Sequence, residues 1–230
     1  MPSQTVCFMK RSRDLCAALL LAMLATFAAS AQQGLPEKSL NAQLLEFSKG
    51  GDEARARAVL AAGAVPDSRN RSGETPLFLF AQKGLLSAVV MLLEAGANPN
   101  LPNLEKSTPL MAAADAGYTE VVRALINAGA DIEALDQINK SALLYAAAGG
   151  HADVLDLLLD QGIDVNRRYR HDLTALMWAA GYGRSAAVAR LIERGADVSL
   201  KDDRGLRAAD IAKQQGHDEL AAMLRAATGG

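Results

Sequence analysis

Few side chains in this sequence are suited to covalent or metal chemistry. It contains three histidines, His151, His171 and His217, and two cysteines, Cys7 and Cys16. A nucleophilic thiol needs a histidine beside it, and a zinc site needs several clustered nitrogen or sulfur ligands. No catalytic serine, zinc-protease or phosphate-loop pattern occurs, and the carboxylates are spread along the chain. We therefore expect no enzyme activity, no cofactor and no metal.

Recognition of another molecule by charge is the second kind of chemistry that the sequence offers. Its densest group of basic side chains is RRYRH, at residues 167–171. Such a group can be a solvated turn, or it can dock an acidic surface, since arginine and tyrosine often anchor protein interfaces. The formal net charge of −2 gives no reason to expect a nucleic acid partner.

The elements that position these side chains repeat along the chain with a stride of 33 residues. Two glycine columns and one leucine column keep this period without insertion. Together they predict a stack of equal units, each in contact with its neighbours only. The columns are Gly51, Gly84, Gly117, Gly150, Gly183 and Gly216; Gly63, Gly96, Gly129, Gly162 and Gly195; and Leu44, Leu77, Leu110, Leu143 and Leu176.

Each unit carries the start and stop signals of two helices, most clearly in residues 70–102. Thr75 is suited to cap the first helix, and Pro76 fits the first helical position, where its missing N–H costs nothing. Gly84 can end this helix in a left-handed conformation. A second helix is predicted over residues 86–95, with Gly96 closing it.

These motifs resemble ankyrin repeats, in the Thr-Pro-Leu starts at Thr75 and Thr108, the weaker starts at Ser141 and Thr174, and the Gly-Ala ends of the units. The resemblance implies an all-α solenoid of helix-turn-helix units with protruding turn tips, used as an interaction scaffold. It also implies that the Gly-His pairs at His151 and His217 begin helices, which leaves His171 unassigned. The family's usual histidine after Thr-Pro-Leu is replaced here by Phe78, Met111, Leu144 and Met177, which predicts an apolar strip between units.

The stride divides the chain into six repeats. Repeat one, at 37–69, is an N-terminal cap, and repeat six, at 202–225, is a shortened C-terminal cap followed by a flexible tail at 226–230. Repeats two to five span 70–102, 103–135, 136–168 and 169–201. We expect Trp178 to lie in the core between helices. We also expect strain or a different turn at Lys106, because the same turn position elsewhere holds Gly73, Asn139, Asp172 and Gly205.

The first 31 residues have the three-part layout of a secretory signal peptide. Lys10, Arg11 and Arg13 precede an apolar run at 15–28, and small residues end at Ala31. Cleavage after Ala31 predicts a periplasmic or secreted protein with a short linker at 32–36, a layout that resembles bacterial periplasmic ankyrin-repeat proteins. An uncleaved membrane anchor and a buried N-terminal helix are the alternatives.

Cleavage would also change the composition of the chain. It removes both cysteines, which suits an oxidising compartment. It removes three basic residues and one acidic residue as well, so 24 − 3 = 21 basic and 26 − 1 = 25 acidic residues leave a net charge of −4.

The resemblance implies that a protein partner binds to the concave side, formed by turn tips and first helices. Mapping the variable positions of that side onto the chain gives a set of candidate contact residues. They are Arg69, Arg71, Glu74, Leu104, Glu105, Gln137, Ile138, Lys140, Arg168, Arg170, His171 and Tyr182.

We therefore expect a monomeric, non-catalytic protein-protein interaction module. Two alternatives stay open at this point: an inhibitor or immunity-type protein that occludes an enzyme, and a membrane-tethered scaffold if the leader is kept. The residues do not indicate the identity of the partner.

Overall fold

A computed structural model describes residues 38–228 of the chain. The predicted signal peptide and linker, and the last two residues of the predicted tail, lie outside the described residues. From Leu40 onward the chain forms one compact unit. Within 38–228 all regular structure is helical, which confirms the predicted all-α class. No helix in that range is long and apolar enough to cross a lipid bilayer.

Twelve α-helices, arranged as six pairs, make up this described part of the chain. Five pairs lie inside the predicted repeats, and the sixth begins in repeat six. The helices are α1 Leu40–Gly50, α2 Glu53–Ala61, α3 Pro76–Lys83, α4 Leu86–Glu94, α5 Pro109–Ala116, α6 Thr119–Asn127, α7 Ala142–Gly149, α8 Ala152–Leu159, α9 Ala175–Gly181, α10 Ser185–Glu193, α11 Ala208–Gln214 and α12 Asp218–Thr228.

The helix boundaries follow from the predicted caps. The hydroxyl groups of Thr75, Thr108 and Thr174 each accept a hydrogen bond from the backbone N–H three residues on, at 3.2 to 3.3 Å. Gly84 ends α3 in the left-handed region, at φ 71°. Ser141 makes no such cap, and its hydroxyl donates a hydrogen bond to the hydroxyl of Tyr169 at 3.1 Å.

The core runs through the whole stack, between the first and second helices of successive repeats. All five leucines of the repeating column are at most 1% exposed. Burial of each such side chain contributes about 1.5 to 3 kcal/mol. The apolar strip predicted in place of the family's histidines is buried as well, at Phe78, Met111, Leu144 and Met177.

Side-chain caps shape most of the turn tips. Asn70, Asn103, Asp136 and Asp202 each accept hydrogen bonds from the backbone N–H groups two and four residues on. The predicted strain at Lys106 is present, since its φ of 61° is left-handed. The turn itself matches those of its neighbours, because it is closed by the same bond from the fourth residue to the first.

The tip of repeat five differs from the others because Tyr169 replaces the capping asparagine or aspartate. The chain there forms a short 3₁₀ turn, Arg170–Asp172, in which His171 and Asp172 both have positive φ, at 61° and 55°. Neighbouring tips are elsewhere joined by a backbone hydrogen bond, as from Leu104 N–H to the Ser72 carbonyl at 2.9 Å. Among the described residues, the equivalent bond from Arg170 N–H to the Ile138 carbonyl is missing.

The last helix runs further than the repeat pattern predicts. Helix α12 continues to Thr228, so residues 226–228 of the predicted flexible tail are helical. The helix is anchored by the buried side chains Leu220, Ala221 and Leu224.

Candidate protein-binding surface

Three adjoining clefts lie along the side of the stack that is built from turn tips and first helices, which we call the first-helix face. The clefts have volumes of about 230, 350 and 470 Å³. Tyr145 lines the first two, and Tyr182 lines the last two. The clefts therefore form one row that runs from repeat two to repeat six.

The candidate contact residues at the first described tip, the last residue of repeat one and two residues of repeat two, are held by neighbouring groups to different degrees. Arg69 donates from Nη1 to the Pro102 carbonyl at 3.0 Å. Glu74 is half-buried and accepts a hydrogen bond from the Asn70 amide at 2.7 Å. Arg71 is exposed. Arg71 is therefore the candidate at this tip that is most accessible to a partner.

At the next two tips the accessible groups are mainly apolar. Leu104 is 66% exposed and Ile138 is 53% exposed, the two highest values among large hydrophobic side chains of the described residues. Glu105 and Gln137 are exposed beside them, and the backbone N–H of Gln137 donates to the Glu105 carbonyl at 3.0 Å. Two neighbouring tips thus present leucine and isoleucine to solvent on a backbone joined by hydrogen bonds.

The basic side chains of residues 167–171 pair with acidic residues at different places in the fold. Arg167 pairs with Glu133 at 2.5 Å and Arg168 with Asp172 at 3.8 Å, while His171 Nδ1 lies 2.8 Å from Asp203 Oδ2. These acidic partners offset much of the positive charge that the sequence suggested. The exposed side chain of Arg170 forms no ion pair within the described residues.

Tyr169, the aromatic residue of this group, is half-buried. The Arg167 guanidinium lies 5.5 Å from the centre of its ring. Burial raises the pKa of the Tyr169 phenol. The phenol therefore stays protonated and serves as a structural hydrogen-bonding group at the tip.

Lys140 lies in a stack of aromatic rings that links repeats four and five. Its ammonium group is 5.3 Å from the centre of the Tyr145 ring and 4.2 Å from that of Trp178. Tyr145 donates a hydrogen bond to Asp136 Oδ2 at 2.7 Å. Burial raises the pKa of Tyr145, and this bond to a carboxylate raises it further. The phenol therefore remains a proton donor and holds the ring in place.

Trp178 packs against the core, so the prediction that it lies there is right in part. Its side chain is only partly buried, and its ring is nearly parallel to that of Tyr182, with the ring centres 5.9 Å apart. Its neighbour one repeat later is the smaller Ile211, and both side chains line the same open space. This space is the largest of the three clefts, which we call the Trp178 cleft. It is lined by Leu173, Met177, Trp178, Gly181, Tyr182, Arg204, Ile211, Gln215 and His217.

Charge changes sign along the row of clefts. The smallest cleft contains four carboxylates, those of Glu74, Glu105, Asp115 and Asp136. The middle cleft has lysine, arginine and aspartate on its walls. The Trp178 cleft has Arg204 at its edge and no carboxylate among its lining residues. A ligand that spans the row would therefore meet an acidic end and a basic, apolar end.

Arg204 is held at the edge of the Trp178 cleft by Asp202, whose side chain is fully buried. Its Nε and Nη2 groups both bind Asp202 Oδ2, at 2.9 and 2.6 Å. Burial alone raises the pKa of Asp202, but hydrogen bonds from Leu206 and Arg204 outweigh it, and the pKa lies below its usual value. The carboxylate therefore stays charged and orients Arg204.

Among the candidate residues, the structure brings Glu74 and Glu105 together at the smallest cleft and Lys140 and Tyr182 together at the middle cleft, while the others are distributed along the tips. The cleft residues Trp178 and Gln215 were not among them. A sequence signal existed for Trp178, because its column changes from Tyr145 to Trp178 to Ile211, a drop in size toward repeat six.

The histidines next to glycine lie at helix starts, as the resemblance implied. His151 precedes α8, and its Nε2 is 2.8 Å from the Asp115 carbonyl oxygen. His217 precedes α12. In the part of the chain that the structure describes, no three His, Cys, Asp or Glu side chains are grouped so that they could hold a metal ion.

Comparison with known proteins gives a consistent result. A family model described as ankyrin repeats (3 copies) matches residues 44–136, 91–169 and 133–202. The chain is also similar to the crystal structure of EF0377, an ankyrin repeat protein, with 30% identity and a TM-score of 0.71. That match covers 80% of this chain and 97% of the other. None of the curated proteins compared with the chain matches it.

Proposed function

The chain belongs to the ankyrin repeat family, and on that premise we propose that it binds one protein partner through the first-helix face, with its turn tips as the main contacts. Folds of this family are typically non-catalytic interaction scaffolds. The exposed face of the stack, and not a reactive group, then carries the function.

The observation that supports this most directly is the exposure of Leu104 and Ile138 on adjacent tips. Exposed apolar side chains beside polar ones are typical of protein interaction sites. The backbone of the two tips is held by hydrogen bonds, so little conformational entropy is lost when a partner binds. Arg71 and Arg170 extend this surface with cations that have no ion-pair partner within the described residues.

The compartment is part of the proposal. The basic, apolar and small-residue order of the first 31 residues supports export by a signal peptide, with function in the periplasm or outside the cell. Sequencing the N-terminus of the protein from its native host should then begin at Gln32. A chain that still begins at Met1 and sediments with membranes would support the tethered alternative.

The test of the binding surface is capture of the partner on the immobilised mature chain, from the compartment in which it resides. The double variant Leu104→Ser and Ile138→Ser should weaken the captured complex by about tenfold or more, because truncation of a buried interface anchor costs more than 1 kcal/mol. Val90→Ser is the matched control, an exposed apolar residue on the second helix of repeat two.

The double variant and the Val90→Ser control should both keep the far-UV circular dichroism spectrum and melting temperature of the wild type. Equal weakening by the tip variant and the control would contradict the proposal. If the captured partner is an enzyme, its activity in the complex separates a scaffold, which leaves turnover intact, from an inhibitor, which abolishes it.

A further inference from the structure

Repeat five departs from the pattern of its neighbours at two places that lie close together. Its tip begins with Tyr169 instead of a capping asparagine or aspartate, and the turn loses its bond to the previous tip. Its first helix places Trp178 beside the smaller Ile211 of repeat six. Places where a regular protein breaks its own local rules are often functional sites. Leu173, at the end of the altered tip, also lines the Trp178 cleft.

The shape of this cleft suits an inserted apolar side chain. Its floor is made by Met177 and Ile211, which are 2% and 8% exposed, and its wall by the stacked rings of Trp178 and Tyr182. The volume of about 470 Å³ lies within the range of about 300 to 1,000 Å³ found for ligand sites. It can hold one large side chain together with the adjoining backbone.

One polar side chain at the cleft lacks the hydrogen bond that the residues at the same position in the preceding repeats make. In the two preceding repeats, the side chain before the second helix binds a carbonyl of the previous repeat: His151 to Asp115, and Arg184 Nε to Ala148, both at 2.8 Å. His217 occupies the same position and makes no such bond within the described residues. A peptide main chain could provide hydrogen-bonding groups of this kind.

The indole of Trp178 is a second unused group. Its Nε1 is buried and has no hydrogen-bond partner within residues 38–228. A buried donor left unpaired costs about 1 to 3 kcal/mol, so such donors are rare in native structures. The residue that carries this unpaired donor also lines the cleft.

The electrostatics of the cleft favour a carboxylate beside the apolar side chain. The guanidinium of Arg204 binds Asp202 through Nε and Nη2, so its Nη1 is not used by that pair. Lys140 lies against the Trp178 ring, and no acidic side chain lines the cleft. Asp202 offsets part of the Arg204 charge, but Arg204 Nη1 and the nearby Lys140 still favour a negative charge over a positive one next to the inserted side chain.

We infer that the Trp178 cleft binds an extended segment of the partner protein, in which one large apolar side chain lies within two residues of an aspartate or glutamate. The inference rests on the proposed function and names the chemistry of the partner at one end of the first-helix face. The apolar side chain enters between the Tyr182 ring and Ile211, and the carboxylate pairs with Arg204.

The probe is a displayed library of random twelve-residue peptides that lacks tryptophan, selected on the intact chain. Trp178 is the only tryptophan in the sequence, so its emission reports occupancy of the cleft directly. Enriched peptides should share leucine, methionine or phenylalanine close to an acidic residue, and titration should shift or quench the emission. Replacing that acidic residue by its amide should weaken binding by about tenfold.

Two variants of adjacent residues make the test specific. Gln215→Glu places a negative charge at the edge of the cleft and should weaken the selected peptides by about tenfold. Gln214→Glu adds the same charge one residue earlier, at the last residue of α11 and outside the cleft lining, and should not weaken them. Tyr182→Ala removes one wall, and because this side chain is 50% exposed, the fold should tolerate it.

The inference is overturned if no peptide is enriched, if enriched peptides lack the apolar and acidic pair, or if Gln215→Glu and Gln214→Glu weaken binding equally. These results are separable from a failure of the proposed function. If the Leu104 and Ile138 substitutions still weaken binding of the captured partner, the proposed function stands and only the proposed ligand of the Trp178 cleft is contradicted. If binding of the captured partner is also unaffected by the Leu104 and Ile138 substitutions, the proposed binding surface is contradicted.

Discussion

At the scale of the residue, the turn tips show how a single side chain sets the local backbone. Asn103 accepts two backbone hydrogen bonds and closes its turn, whereas Tyr169 at the equivalent position has no side-chain oxygen close enough to its own backbone to do so. The ring packs inward, its hydroxyl binds Ser141, and the turn winds into 3₁₀ geometry. This effect was available from the sequence, because the column Asn70, Asn103, Asp136, Tyr169, Asp202 contains one residue that cannot cap.

Lys106 provides the residue-scale prediction. Its φ of 61° is a left-handed conformation that costs a residue with a Cβ atom about 1 to 2 kcal/mol, and glycine avoids this cost. Because glycine also gains about 0.5 to 1 kcal/mol of entropy in the unfolded chain, Lys106→Gly should raise the free energy of unfolding by about 0.5 kcal/mol. Urea denaturation followed by circular dichroism measures this change.

The converse substitution is the control for Lys106. Gly73 occupies the same turn position in repeat two with φ 76°, and an added Cβ would lie 3.0 Å from the Leu104 backbone nitrogen. Gly73→Ala should therefore lower the free energy of unfolding by about 1 to 2 kcal/mol. If Lys106→Gly is destabilising, the strain assigned to this turn is not there.

At the scale of the element, the first helix of each repeat is short, so the residues at its ends contribute much of its stability. A helix of about two turns has few internal hydrogen bonds, so its free N–H groups need a cap. Thr108 supplies one from its side chain. Ser141, at the same position in repeat four, binds Tyr169 of the next repeat instead. A residue of the capping type thus serves contact between repeats rather than its own helix.

The difference between these two positions can be measured. Thr108→Ala should lower the free energy of unfolding by about 1 kcal/mol through loss of the cap. Ser141→Ala should cost less, because it removes only the bond to Tyr169, and the half-buried phenol can turn to water. In a Tyr169→Phe background, Ser141→Ala should cost nothing further. A Ser141→Ala cost that remains about 1 kcal/mol in this background would show that the serine does cap α7.

At the scale of the whole stack, each repeat contacts mainly its immediate neighbours. Stability is then approximately a sum of repeat and interface terms, and an end repeat can open without the rest. Within residues 38–228, the first and last repeats each contact a neighbouring repeat on one side only. In repeat six an apolar strip position is also taken by Asp210. The Trp178 cleft lies between repeat five and this end repeat, so its shape depends on the stability of α11 and α12.

Two leucine substitutions test whether an end repeat can open without the rest of the stack. Leu143 in the centre and Leu224 in the last helix are 0% and 1% exposed, and truncating such a side chain to alanine costs about 2 to 5 kcal/mol. Leu143→Ala should lower the free energy of unfolding of the entire stack. Leu224→Ala should mainly reduce hydrogen-exchange protection of α11 and α12. Uniform loss of protection in both variants would contradict nearest-neighbour stability.

Sequence alone was enough for the all-α solenoid, its period, the leucine core and the threonine caps. These features depend on residue types a few positions apart or one stride apart, which the columns display directly. The solvent-facing side of Trp178, the cleft beside it and the pairing of Arg167, Arg168 and His171 with acidic groups were decided only by the tertiary structure. The reason is that exposure and charge balance depend on the size and charge of side chains that come together from separate repeats. A column of similar residues in the sequence does not show which neighbouring side chain leaves a gap.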